Sequence, residues 1–420
     1  TIIMKSKKIG MLVVILAFVF SGCSSEREQL PDTYVEGSDF QYMYTREASN
    51  FLNFQKGDNG YYLLWNDFIY FFDEEDELIV PLCSKPDCLH DKETAQEKRE
   101  SCNAYASTFT STGLAYCNGD LYYVNTDNSS HFPTLYQYMS DGSGRKKLYE
   151  WTEEGFMPTQ WIVHRDVLYY TLQSYYTDEE EIDQFLAFYA LPLTGKDRLK
   201  PEQIYFPEEE METIVLGNPV AYGNYVYFLE AGNQKKGDEQ VSSYIKTHVY
   251  NIQTGKISEI RVPGQTDDQW IGKVEFWQDK IVFLLYDSEK GDSGEGFYYI
   301  ADLDGSDAEI LFNTDHQIYN IYGDGKYLYQ SNAENYEMSE DADPKMYHVY
   351  DENLNEIDTF TTDDTFNFDF PIGSEDRAYC IYYKESGEWG IEYWDKSVIG
   401  SLNGSEIEFT LIPYEGSIQD

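Results

Sequence analysis

The sequence predicts an all-β protein, a β-propeller of seven blades, each a four-stranded antiparallel meander. Three observations predict it. A strand-turn-strand unit recurs about every 50 residues, a propeller-blade period. The strands alternate with period two and are joined by turns rich in Asn, Asp and Gly. No long amphipathic helix interrupts the body. Aromatic residues are 17% of the 420 residues, with 39 Tyr and 24 Phe, and such residues favour strands and pack well between twisted sheets.

The unit is clearest between Ser111 and Trp151. Leu114 to Cys117 is a short apolar strand, Asn118-Gly119-Asp120 a turn, and Leu121 to Val124 an aromatic strand. Leu135 to Met139 follows a polar gap, and the turn Ser140 to Gly144 leads into Lys147 to Trp151. The second strand of each unit serves as a marker: Asp67 to Tyr70, Asp120 to Tyr123, Asp166 to Tyr169, Asn224 to Tyr227, Asp279 to Val282, Lys326 to Tyr329 and Asp376 to Tyr379. Third strands recur too, as in Phe185 to Leu191 before Leu193-Thr194-Gly195, and Tyr298 to Ala301 before Asp302 to Ser306. One meander cannot bury both of its apolar faces; stacking copies buries them, and closing the stack removes its two ends. Seven markers predict seven blades, and the irregular first and last units leave six or eight as alternatives. Phe40 to Tyr44 is a candidate to pair with the C-terminal blade and close the ring.

The N-terminus reads as a targeting segment. Met4 is the expected start, Lys5, Lys7 and Lys8 form a positive region, and Ile9 to Phe20 is an apolar run too short to span a bilayer comfortably. Ser21-Gly22-Cys23 then resembles a bacterial lipoprotein signal, although Phe20 stands where Leu is usual; the resemblance implies that Cys23 is lipidated and becomes the mature N-terminus. The expected organisation is a signal over 1–23, a flexible polar tether over 24–39, and one propeller over 40–420. That places the protein on the outer face of the cell membrane, anchored by acyl chains, as a monomer.

Asp141-Gly142-Ser143 and Asp304-Gly305-Ser306, each between an aromatic strand and a Leu-containing one, resemble the turns of TolB-like and low-density-lipoprotein-receptor-like propellers. The body as a whole is similar to uncharacterised lipoproteins of Clostridia-type gut bacteria, which carry a Cys-rich signature at the end of the first blade. The resemblance implies a fold and a location, and no activity.

The corresponding module here spans 83–102. Cys83, Cys88, His90 and Cys102 make a Cys3His set; soft thiolates and an imidazole suit tetrahedral zinc, and a Pro-bearing knuckle suits the first pair. Against zinc stand the four residues between Cys83 and Cys88 and the single residue between Cys88 and His90. A disulfide from Cys102 to Cys83 or Cys88 is the equal alternative outside the cell, and reduced packing thiols are the third. All three readings are structural. Cys117 and Cys380 sit inside aromatic strands and read as core thiols.

Little else points to chemistry. There is no Gly-x-Ser-x-Gly elbow, His-Glu-x-x-His helix, phosphate loop or dinucleotide fingerprint. His131, His164, His248, His316 and His348 are scattered singly and read as surface or satisfied residues. Asp302 to Asp307 reads as a hairpin turn rather than a Ca2+ loop. A net charge of -46 excludes nucleic acid as a partner. The long second-to-third-strand connections emerge on one rim, where Tyr175, Tyr176, Tyr244 and Tyr336 are candidates to stack on sugars. The function read from these features is a binding or interaction module for an envelope protein, peptide or glycan. The alternative is an extracellular glycoside hydrolase or lyase using carboxylates near the channel.

Overall fold

The computed structural model describes residues 31–44, 54–107, 113–126, 132–153, 156–174, 186–207, 213–236, 239–287, 296–312, 318–332, 345–362, 372–384 and 386–417. The sheets among them are seven, each of four strands in sequence order, forming a seven-bladed propeller. Blade 1 comprises β1 (Phe54–Gly57), β2 (Gly60–Trp65), β3 (Phe68–Asp73) and β4 (Leu78–Pro81). Blade 2 comprises β5 (Leu114–Cys117), β6 (Asp120–Asn125), β7 (Thr134–Met139) and β8 (Arg145–Glu150). Blade 3 comprises β9 (Phe156–His164), β10 (Val167–Ser174), β11 (Leu186–Pro192) and β12 (Glu202–Tyr205). Blade 4 comprises β13 (Thr213–Tyr222), β14 (Tyr225–Lys236), β15 (Glu239–Asn251) and β16 (Lys256–Glu259). Blade 5 comprises β17 (Gln269–Trp277), β18 (Lys280–Asp287), β19 (Phe297–Ala301) and β20 (Glu309–Phe312). Blade 6 comprises β21 (Ile318–Gly323), β22 (Leu328–Asn332), β23 (Lys345–Tyr350) and β24 (Glu356–Thr362). Blade 7 comprises β25 (Ile372–Gly373), β26 (Arg377–Tyr383), β27 (Trp389–Asp395) and β28 (Thr410–Pro413).

The first strands of blades 1 to 6 touch in succession, so they line the axis. Aromatic rings fill the seams between blades: Phe188 stacks on Phe228 at 4.4 Å, and Phe54 on Tyr379 at 5.1 Å. Several first-to-second turns are tight links with left-handed residues, such as Arg165 and Asp166 (φ 51 and 60) or Gln278 and Asp279 (φ 50 and 55), the backbone that matches strand twist. Third strands end beside these turns: Leu193 N–H bonds Asp166 O, and Ile252 N–H bonds Asn224 O. The first-to-second and third-to-fourth turns therefore share one face, which we call the turn face. The second strands end, and the third strands begin, at the opposite face, which we call the loop face.

Two sequence expectations are corrected. Asp67 to Tyr70 opens the third strand of blade 1, not the second, because blade 1 joins β2 to β3 with a two-residue left-handed turn, Asn66 and Asp67 (φ 46 and 69), of the kind blades 3 and 5 use between the first and second strands. Its marker therefore copies the other blades one strand late. Phe40 to Tyr44 joins no sheet, since every blade is built from one contiguous segment. Its backbone link to blade 7 is the Gly373 N–H bond to Met43 O.

Candidate functional site

Two segments outside the repeat carry the polar chemistry of the described residues. The first is the Cys module between blades 1 and 2. β4 ends at Pro81, Leu82 is buried, and Leu82 N–H bonds Ile69 O. The chain then makes a knuckle over Cys83 to Cys88, a 3-10 turn over His90–Lys92 and a short helix over Gln96–Glu100. It returns to the blade as a bridge from Tyr105 to Phe68. Arg99 lies over the Phe68 ring at 4.8 Å, and Tyr138 donates to Tyr105 O at 2.6 Å, which seats the module on blades 1 and 2.

That fold brings together all four residues of the Cys3His set. One donor atom each from Cys83, Cys88, His90 and Cys102 lies within 4.8 Å of the others, and Cys102 Sγ is 3.6 Å from His90 Nδ1. Ligands at ~2.3 Å for sulfur and ~2.0–2.1 Å for nitrogen stand roughly 3.5–3.8 Å apart on a tetrahedron, so the set fits zinc after a small side-chain adjustment. The donors are also prepared electrostatically. Burial raises the Cys83 thiol, but the amides of Lys85 and Asn103 and the thiols of Cys102 and Cys88 outweigh it and lower its pKa. Cys102 is 1% exposed; burial pushes its thiol up, against the Ala104 amide, and the other two thiols add to the rise. A divalent ion bound there would favour the Cys102 thiolate that burial opposes. Burial holds His90 below its ordinary pKa, favouring the neutral imidazole that binds metal. The module also reaches the seam between blades 7 and 1: Asp91, next to His90, accepts from Tyr70 at 3.1 Å and from Tyr414.

The second segment, residues 31–44, was not legible as a site. Ser38 to Tyr42 and Tyr44 are buried, and the segment runs across the turn face, accepting at Gly37 O from Asn118, at Ser38 O from Arg165 and at Met43 O from Gly373. Asp39 is 0% exposed and forms a two-point pair with Arg165, Oδ1 to Nε at 2.7 Å and Oδ2 to Nη2 at 3.1 Å. Arg165 Nη2 also donates to Pro31 O and Thr33 O, and Nη1 to Asn224 Oδ1. His164 is wholly buried: its Nδ1 accepts from Phe40 N–H at 3.0 Å and its Nε2 donates to Gly223 O at 2.8 Å. Burial lowers its pKa to about 4, with Arg165 adding to the drop and Asp39 and the Gly223 carbonyl opposing it, so the ring is neutral. Gln41 mimics a strand edge, its amide exchanging two hydrogen bonds with the backbone of Lys56. Tyr42 packs among Tyr34, Tyr222 and Phe276 at 5.4–5.7 Å. Gly223 (φ +57) is required, because a Cβ there would overlap the Asp32 carbonyl. Residues 31–39 are thus part of the body rather than of the tether in which the sequence places them.

The remaining expectations fall as follows. Cys23 lies outside the described residues, as do Tyr175, Tyr176, Tyr336, His131 and His316. Tyr244 is committed within the protein: its hydroxyl donates to buried Glu230 at 2.6 Å, beside Tyr205 and His248. These partners bring Glu230 down to about 2 against the effect of burial. Cys117 is buried, with its thiol pushed up to about 12 by burial, and donates to Ser38 O. Asp302 to Ser306 is a hairpin turn. Among the described residues, the Cys module is the one cluster of metal-competent side chains.

No protein-family model and no curated protein matches the chain. Solved structures match its fold at low identity. An oligogalacturonate lyase in complex with manganese is 12% identical over 78% of this chain and 77% of its own, with a TM-score of 0.45. A prolyl endopeptidase is 12% identical over 87% and 50%, with a TM-score of 0.46. TolB from Acinetobacter baumannii is 12% identical over 86% and 78%, with a TM-score of 0.33. Likeness at this level says nothing about activity.

Proposed function

We propose that this protein is a lipid-anchored, extracytoplasmic binding module, a propeller held to the membrane through Cys23, with a structural zinc in the Cys module. The supporting observation is how the described charged groups at the channel mouth are used. Asp39 is spent on Arg165, and Asp324 on Lys396 and Tyr329, while Tyr42, Tyr222 and Phe276 fill the space between them. A hydrolase or lyase working at the channel needs convergent carboxylates with an open approach; here these groups neutralise one another in a closed mouth. Binding then falls to the loop face, where propellers carry their variable connections. Zinc would act as a cross-link among Cys83, Cys88, His90 and Cys102 and would supply no catalysis, since all four ligand positions are protein.

A glycan array with a parallel hydrolysis screen, on protein beginning at Ser24, tests the binding reading. Capture of a glycan or envelope protein without turnover is expected; turnover of any glycan overturns it. Elemental analysis beside thiol titration tests the metal: one zinc per chain is expected, and no zinc with a Cys102 disulfide overturns it. Metabolic labelling with palmitate tests Cys23, and the label is expected to vanish in Cys23→Ala.

A further inference from the structure

Residues 31–33 fix where the chain enters the ring. Pro31 O and Thr33 O accept from Arg165, Asn224 donates to Asp32, and Gly223 is shaped to let Asp32 pass. Arg165 and Asn224 belong to the first-to-second turns of blades 3 and 4, so entry is on the turn face. Pro31 is eight residues beyond Cys23. At 3.3–3.6 Å per residue those residues reach about 26–29 Å when fully extended, and less as a flexible coil.

We infer that the turn face of the propeller is directed at the bilayer. The inference rests on the proposed lipidation of Cys23, and adds the orientation. A tether this short, pinned by a buried ion pair, cannot swing the ring over: reaching the loop face would add the height of a blade, roughly 20 Å for a six-residue strand. The entering chain stays on the turn face: Asn118 N–H bonds Gly37 O, Arg165 N–H bonds Ser38 O and Gly373 N–H bonds Met43 O. Strong negative charge on both protein and membrane keeps the ring standing off the surface, within the reach of its tether.

Two labelled forms of the full lipidated protein test this. Lys196 is exposed on the turn face, three residues beyond Leu193, which bonds Asp166 O. Phe132 is 44% exposed at the loop-face start of β7. With a donor dye attached through Lys196→p-azidophenylalanine or Phe132→p-azidophenylalanine, energy transfer is read to acceptor-labelled lipid in phosphatidylglycerol–phosphatidylethanolamine vesicles. The expected result is transfer at least fivefold faster from position 196 than from 132. Vesicle-bound protein with equal or reversed transfer overturns the orientation and leaves the anchor standing. Protein that stays off the vesicles and carries no acyl chain overturns the anchor, and the orientation with it.

Discussion

Residues 31–44 and residues 82–107 both lie outside the blade repeat, and both hold the ring together, but by opposite means. The first works from inside. It has hardly any secondary structure and is fixed by a buried charge pair, a neutral histidine and an amide posing as a strand edge. The second works from outside. It forms its own small fold around four soft donors and hands Asp91 to tyrosines on both sides of the seam between blades 7 and 1. Many propellers close by letting one terminus complete the other's blade; here each blade is contiguous. The contrast teaches that a ring without strand exchange can be closed by non-repeating segments, one at the hub and one at the rim.

The hub should be the more costly of the two to break. Arg165→Met leaves the Asp39 carboxylate buried without its cation, and a loss of about 3–5 kcal/mol is expected in urea unfolding. Asp39→Asn added to it should recover part of that loss; no recovery would mean that Arg165 acts through packing alone. Chelation of zinc, or Cys102→Ser, should cost about 3 kcal/mol, the linkage of an ion present at a hundred times its Kd. Hydrogen exchange should then rise over 82–107 and around Tyr70 and Tyr414, and stay unchanged over 37–44. A rise in both places would dissolve the distinction between hub and rim.

Acid should weaken the hub as well. His164 has its pKa lowered from 6.5 to about 4, so protonation favours the unfolded chain. The penalty is absent above pH 6.5, grows as pH falls towards about 4, and is constant below that. Between pH 6.5 and 5 the cost is about 2 kcal/mol. Glu230, lowered from 4.5 to about 2, loses its contribution only below about pH 4.5, so the upper window belongs to histidines, His164 at the hub and His90, also held low by burial, at the rim. His164→Asn should be less stable at pH 7 and flatter across that window; an unchanged slope would remove His164 from the account. The smallest effect is expected of Gly223→Ala, about 1–3 kcal/mol, since the left-handed backbone and the Asp32 carbonyl both oppose a Cβ.

The blades were legible because their signal is local. Period-two aromatics and Asn-Gly or Asp-Gly turns are set by neighbours in sequence, and the ring follows from hiding two faces per sheet. The one misplaced marker, Asp67 to Tyr70, failed because blade 1 puts between its second and third strands the two-residue left-handed turn that blades 3 and 5 put between the first and second. The Cys module was legible as a set, since few roles suit three cysteines and a histidine within 20 residues, and the fold supplied the approach within 4.8 Å. The hub was not legible. Pro31, Asp32, Glu36, Gly37 and Asp39 have a tether's composition, and what sets Asp39 apart from the exposed Asp32 and Glu36 is its meeting with Arg165, 126 positions away. Such a pair has no sequence period. The nearest signal was the apolar Phe40 to Tyr44, read as a strand because aromatics at alternate positions are usually strands.

Amide exchange on the chain beginning at Ser24 tests the hub directly. The amides of Tyr42 and Tyr44, bonded to Phe40 O and Gln41 O, and that of Arg165, bonded to Ser38 O, are expected to exchange as slowly as those of β9 and β13. Complete exchange over 37–44 within seconds, with the blades still protected, would return these residues to the tether and contradict the account.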